Sequence, residues 1–116
     1  MAQKRIFIAE DEPLIAMVLE DILDELGYAL AASAATVAQA EQLTLTTTFD
    51  AAILDADLGG QESFPLADRI MASGVPVLFA TGRGRGNLPT RFRESILIEK
   101  PYVLNSVARA LDQLFG

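Results

Sequence analysis

A chain of 116 residues, 51% of them hydrophobic, is long enough to build one domain with a real core and too apolar to remain disordered. The absence of both cysteine and histidine excludes disulfides, thiolate chemistry, His-ligated zinc and any imidazole base. A net charge of −7 disfavours binding to nucleic acid over a broad surface, and no apolar run reaches the length of a membrane span.

The opening, MAQKRIFIAEDE, has a short apolar run, Arg5 to Ala9, and turns acidic at Glu10, Asp11 and Glu12. No signal peptide is expected from such a start, and a cytoplasmic location follows as the default. A helix is predicted next. Pro13 suits its first turn, Leu14, Val18, Ile22 and Leu26 make an apolar stripe, and Gly27 suits its exit. A weaker strand pattern covers Tyr28 to Ala32, and a weaker helical one carries Val37, Ala40 and Leu43. Ala51 to Leu54 reads as a buried strand, with Asp55 at its end and Asp57 two residues on. Gly59 and Gly60 then predict a mobile loop, and Ser63 and Pro65 open a helix through Leu66, Ile70 and Met71. Val77 to Ala80 is a further strand ending in Thr81. Ile96 to Ile98 is the last, running into Lys100-Pro101 before a helix marked by Leu104, Val107, Ala108, Leu111 and Phe115.

Short apolar runs without in–out alternation are typical of strands buried on both faces, and their alternation with helical patterns implies a parallel sheet covered by helices on each side. No linker, repeat or low-complexity tail interrupts the pattern. One domain spanning residues 1 to 116, with no output domain, is therefore expected.

The rhythm places a fourth helix between Thr81 and Ile96, but Gly82, Gly84, Gly86 and Pro89 oppose it. Each glycine costs about 1 kcal/mol of helix propensity and the proline about 3. A loop with at most a short helical turn near Thr90 to Arg93 is predicted. Arg83, Arg85, Arg91 and Arg93 crowd this segment. Two RG steps in an acidic chain are weak grounds for RNA binding, so a basic surface suited to an acidic partner is the better reading.

Ligands of parallel α/β sheets bind at the carboxyl ends of the strands. Glu10 and Asp11 stand there on the first strand, Asp55 and Asp57 on the third, Thr81 on the fourth and Lys100 on the fifth. Crowded carboxylates repel each other unless a cation neutralises them. All-oxygen ligands suit Mg²⁺, while an ammonium and a hydroxyl suit a phosphoryl group. The set points to a pocket holding a metal and a phosphoryl group.

The stretches IFIAEDEP, AAILDADL, VLFATG and IEKP, in this order, resemble the receiver domain of two-component response regulators over the whole chain. The resemblance implies a doubly wound, flavodoxin-like five-stranded parallel sheet in the order 2-1-3-4-5, with a cis peptide before Pro101. It makes Asp55 the phospho-accepting aspartate, and Glu10 and Asp11 the acidic pair for Mg²⁺. Asp11 would bind directly and Glu10 through water, with Asp57 adding its backbone carbonyl. Thr81 would contact a phosphoryl oxygen, and Lys100 would pair with the phosphoryl group and the carboxylate. FATG followed by glycines, with GGQESFP and EKPY, resembles the FATGUY subgroup of short single-domain receivers. That subgroup implies a sensor histidine kinase, of the HWE or a related class, or a phosphotransfer protein as phosphodonor. With no output domain expected, signalling should run through protein contacts, the chain acting as a monomer with neither DNA nor membrane as partner.

Such a domain is no enzyme beyond catalysing its own phosphorylation and dephosphorylation. The glycine-rich segment 82–93 is expected to be mobile without phosphate and to become ordered by phosphate, Mg²⁺ or a partner. Many receivers carry an aromatic residue three positions before the lysine; here it is Leu97. Of the two readings of Tyr102, just after Lys-Pro, a surface-packed tyrosine is expected over one that takes on part of the missing aromatic's role. The competing reading is a Mg²⁺-dependent phosphatase or nuclease built on the DxD pair Asp55-Ala56-Asp57. Dehalogenase-type phosphatases place DxD on the first strand. Toprim order, with Glu10 first, fits better but leaves Thr81 and Lys100-Pro101 unexplained.

Overall fold

The computed structural model describes residues 3–116, with Asn87 described by its backbone only. Three of its strands have no exposed side past their first residue: β1 (Arg5–Ala9), β3 (Ala51–Asp55) and β6 (Val77–Thr81). With β2 (Ala29–Ala34) and β7 (Leu97–Glu99) they form one parallel sheet in the order β2-β1-β3-β6-β7. A separate two-stranded hairpin, β4 (Asp57–Leu58) and β5 (Gln61–Glu62), lies between β3 and the next helix. Counting only strands of the main sheet, the order is the expected 2-1-3-4-5.

Alternation along the strands feeds two cores, because successive side chains point to opposite faces. Ile6, Ile8, Ile53 and Leu78 join Leu19 and Leu23 of α1 (Pro13–Glu25) and Val107 and Leu111 of α4 (Leu104–Phe115). Phe7, Leu54 and Phe79 face the other way, toward Ala40 of α2 (Val37–Thr46) and Leu66 and Ile70 of α3 (Phe64–Ala72). Thr36 caps α2 by accepting the Gln39 amide at 3.0 Å, while the Gln39 side chain accepts the Ala35 amide at 2.8 Å.

Several local expectations need correction. On α1 the first half of the stripe is out of phase: Leu14 and Val18 are exposed, and Ile15 and Leu19 face the sheet with Leu23 and with the expected Ile22 and Leu26. Met71 likewise faces outward on α3. The second strand begins at Ala29 and continues to Ala34, and the last is shifted one residue on, to Leu97–Glu99. Gly59 and Gly60 do not make an open loop. Their φ values of 61° and 83° fit the paired left-handed geometry of a tight hairpin turn between Leu58 and Gln61. Leu58, fully buried, ties the hairpin to the core.

Between β6 and β7 the chain makes only two single 3₁₀ turns, Arg85–Asn87 and Thr90–Phe92, as the glycines and Pro89 require. The segment is nevertheless anchored. Leu88 and Phe92 are buried, and the Phe92 ring lies 4.8 Å from that of Phe79 and 5.9 Å from that of Phe64. One Arg85 nitrogen donates to the carbonyls of Arg93 and Ser95 at 2.7 Å each, and Arg93 donates to the Leu88 carbonyl at 2.7 Å.

Candidate functional site

The sheet reverses its winding between β1 and β3, so the loops leaving these strands diverge and open a crevice at their carboxyl ends. Asp11, Asp55, Asp57, Thr81 and Lys100 all line this cleft of about 540 Å³. Glu10 lies beneath it with its side chain completely buried.

Lys100 is the centre of the arrangement. Its ammonium reaches Glu10 Oε1 at 2.8 Å and Asp55 Oδ2 at 2.9 Å, joining the ends of β1, β3 and β7. The Lys100-Pro101 peptide is cis, and the Lys100 amide donates to the Thr81 carbonyl at 3.0 Å. Asp55 Oδ1 accepts the Asp57 amide at 3.2 Å, and Ser63 Oγ donates to the Asp55 carbonyl at 2.6 Å. Asp11 Oδ2 accepts the Gly59 amide at 3.1 Å. Thr81, 5% exposed at the end of β6, accepts the Arg83 amide on its hydroxyl at 3.0 Å.

The electrostatics show a site short of positive charge. Burial pushes the carboxyls of both Glu10 and Asp55 above their ordinary values, even though hydrogen bonds from Lys100 pull the other way. Burial also acts against the Lys100 ammonium, but its bonds to Glu10 and Asp55 prevail and hold its pKa above the usual lysine value. One ammonium cannot balance two buried carboxylates and a third acid, Asp11, beside them.

Carboxylate oxygens of Glu10, Asp11 and Asp55 lie within 4.8 Å of one another. An octahedral ion with ligands at about 2.0–2.1 Å would draw such oxygens in toward about 3 Å from one another where they are adjacent, and a hard all-oxygen donor set suits Mg²⁺. The residues present fit that ion.

Sequence reading placed Tyr102 on the surface, whereas it is 4% exposed, and its hydroxyl points to Glu10 Oε1 at 3.4 Å. Its position, two residues beyond Lys100 at the end of β7, was the available signal. Ser63 was read only as a helix opener, although its hydroxyl serves the Asp55 carbonyl. The basic segment is mostly occupied within the chain. Arg85 and Arg93 bind carbonyls, Arg91 pairs with Asp68 at 2.9 Å, and Arg83 alone of the four opens on the cleft. A larger groove of about 680 Å³ between α2 and α3 lies toward the opposite ends of the strands.

The family model for the response regulator receiver domain matches residues 6–96. The solution structure of SdrG from Sphingomonas melonis Fr1 is 41% identical, with a TM-score of 0.87 and full coverage of both chains. A BeF3-activated conformation of SdrG gives 0.86 at the same identity. The receiver domain of PhyR from Erythrobacter litoralis is 31% identical with a TM-score of 0.87, covering 100% of this chain and 94% of that one. The transcriptional regulatory protein PdtaR of Mycobacterium tuberculosis is 26% identical over 113 residues, 94% of this chain and 55% of its own length. The chain thus spans about half the length of that curated relative. Nothing in the cleft or in these similarities favours the DxD hydrolase. Among the described residues, no helix is long and apolar enough to cross a membrane.

Proposed function

The chain belongs to the response regulator receiver family, and from that premise we propose that Asp55 is its phosphoacceptor and Lys100 and Thr81 are its catalytic partners. Receivers take phosphoryl groups from histidine kinases or phosphotransfer proteins, and the observation that carries the assignment here is the Lys100 bridge. One ammonium contacts Asp55 and Glu10 in a cleft shared with Asp11 and Thr81.

In the proposed step a carboxylate oxygen of Asp55 attacks the phosphorus of a phosphohistidine. The new O–P bond forms as the P–N bond breaks, and the electron pair leaves on the imidazole, which takes up a proton. Negative charge spreads over the equatorial oxygens, where Lys100 neutralises it and the Thr81 hydroxyl donates a hydrogen bond. The Asp57 amide keeps the Asp55 carboxylate oriented. Mg²⁺ held by Asp11 and Asp55, with the Asp57 carbonyl as a further ligand and Glu10 behind, would supply charge neutralisation at the phosphoryl oxygens. The acyl phosphate formed on Asp55 is a covalent product that water later hydrolyses.

The FATG, GGQESFP and EKPY segments support membership of the FATGUY subgroup, and with it a kinase of the HWE or a related class as donor. The protein then acts as a cytoplasmic monomer whose signal leaves through contacts with other proteins. Incubation with an autophosphorylated histidine kinase and Mg²⁺ should transfer label to the wild type, but not to Asp55→Asn or in the presence of a chelator. Labelling of Asp55→Asn at the wild-type level would overturn the assignment.

A further inference from the structure

Glu10 is buried deeper than any other charged group of the site, and its two oxygens meet three donors. Oε2 accepts the Glu12 amide at 3.2 Å, while Oε1 is shared between Lys100 Nζ at 2.8 Å and the Tyr102 hydroxyl at 3.4 Å. The two contacts on Oε1 are unequal. An O–H···O bond normally settles near 2.7–2.8 Å, so the hydroxyl stands back while the ammonium holds the oxygen. Tyr102 cannot easily turn elsewhere. Its ring belongs to the same buried cluster as Ile98, Val107 and Leu111, and among the described residues its hydroxyl has no other partner. A phenol hydroxyl is an O–H donor at neutral pH, and burial with the Glu10 and Asp55 charges raises its pKa further.

A phosphoryl group on Asp55 would upset this sharing. It brings a charge of about −1.5 to −2 beside Lys100, which draws the ammonium away from Glu10. Oε1 would then lose its nearest donor at a place water does not reach, and a bare buried carboxylate oxygen is costly. We propose that Tyr102 is a positioning residue of the phosphorylation site: its hydroxyl closes on Glu10 Oε1 as Lys100 turns toward the phosphoryl group on Asp55. The tyrosine thereby frees the lysine without stranding the glutamate. This role rests on the phosphoacceptor assignment of Asp55. It concerns a residue that contacts neither phosphate nor metal.

Tyr102→Phe keeps the ring and removes the donor. Two affinities separate the proposed role from a merely structural one, both followed by backbone amide shifts. The Mg²⁺ affinity, measured with Lys100 still on Glu10, should stay within about twofold of wild type. The affinity for BeF₃⁻, a phosphoryl mimic, at saturating Mg²⁺ should fall about tenfold, equivalent to about 1.4 kcal/mol. In a Glu10→Gln background the same substitution should cost less than about twofold, because a neutral amide does not demand the donor.

A BeF₃⁻ affinity unchanged in Tyr102→Phe would overturn the proposal. So would equal losses for Mg²⁺ and BeF₃⁻, or a tenfold loss that persists in the Glu10→Gln background. A wild type that binds no BeF₃⁻ at all would instead remove the phosphoacceptor reading beneath it.

Discussion

Replacing Lys100 by methionine keeps most of the side-chain volume and deletes the one ammonium between Glu10 and Asp55. The carboxylates left behind have 0% and 8% exposed side chains, so solvent cannot substitute for the lysine. Removing one member of a buried ion pair typically costs about 3–5 kcal/mol. The low end applies here, because the lysine side chain is 16% exposed and the orphaned acids can take up protons. The expected loss without metal is about 3 kcal/mol, or roughly 10 °C in Tm for a domain of this size.

Mg²⁺ narrows the difference, since a divalent ion brings to the same acidic cluster the positive charge that the variant lacks. At a hundredfold excess over Kd a ligand stabilises by about 2.7 kcal/mol, and the variant, whose carboxylates have no other cation beside them, should gain more than the wild type. Urea unfolding of both proteins at pH 7.5, in chelator and in saturating Mg²⁺, reads the effect directly. The gap between them should narrow to about 1 kcal/mol in Mg²⁺. A chelated variant within about 0.5 kcal/mol of wild type, or a gap that Mg²⁺ leaves unchanged, would refute the view that this lysine offsets the acidic cluster.

The pH profile follows from the same charges. Glu10 and Asp55 have native pKa values raised above their ordinary ones. The stability they add is therefore complete below about pH 4 and is lost as pH rises through the native values. Lys100, also raised, contributes below about pH 10.4 and loses that contribution as pH climbs through its native pKa. Unfolding free energies in chelator should thus decline from mildly acidic toward neutral pH, with a second decline at strongly alkaline pH; Asp55→Asn should flatten the first. Gly60→Val should cost at least about 1–2 kcal/mol in urea unfolding, because position 60 has φ 83°. Arg85→Met should speed amide exchange at Arg93 and Ser95 several-fold while leaving β1 and β3 unchanged, because it removes two bonds that hold the segment before β7.

The three central strands were readable because burial on both faces leaves short apolar runs, as in Ala51–Leu54 and Val77–Ala80. The helix phase was not. From Leu14 to Leu19 every residue of α1 is apolar, so periodicity cannot choose between Leu14 with Val18 and Ile15 with Leu19. Packing against the sheet makes that choice. The hairpin was missed although two glycines between Leu58 and Gln61 signalled it, since strands of two residues have no pattern of their own. The acids, threonine and lysine of the cleft could be anticipated because parallel strands deliver their ends to one rim. Tyr102 was harder: its place just after Lys-Pro is the one local sign, and its burial depends on how the chain re-enters the fold.

The bond from the Gly59 amide to Asp11 means that the acidic rim and the hairpin tip move as one linkage. Any ligand that reorients the Asp11 carboxylate must stretch, release or shorten that single contact, at a glycine with no side chain to obscure it. The Gly59 amide resonance is therefore a gauge built into the backbone, reporting occupancy of the cleft without a label, a dye or a tryptophan.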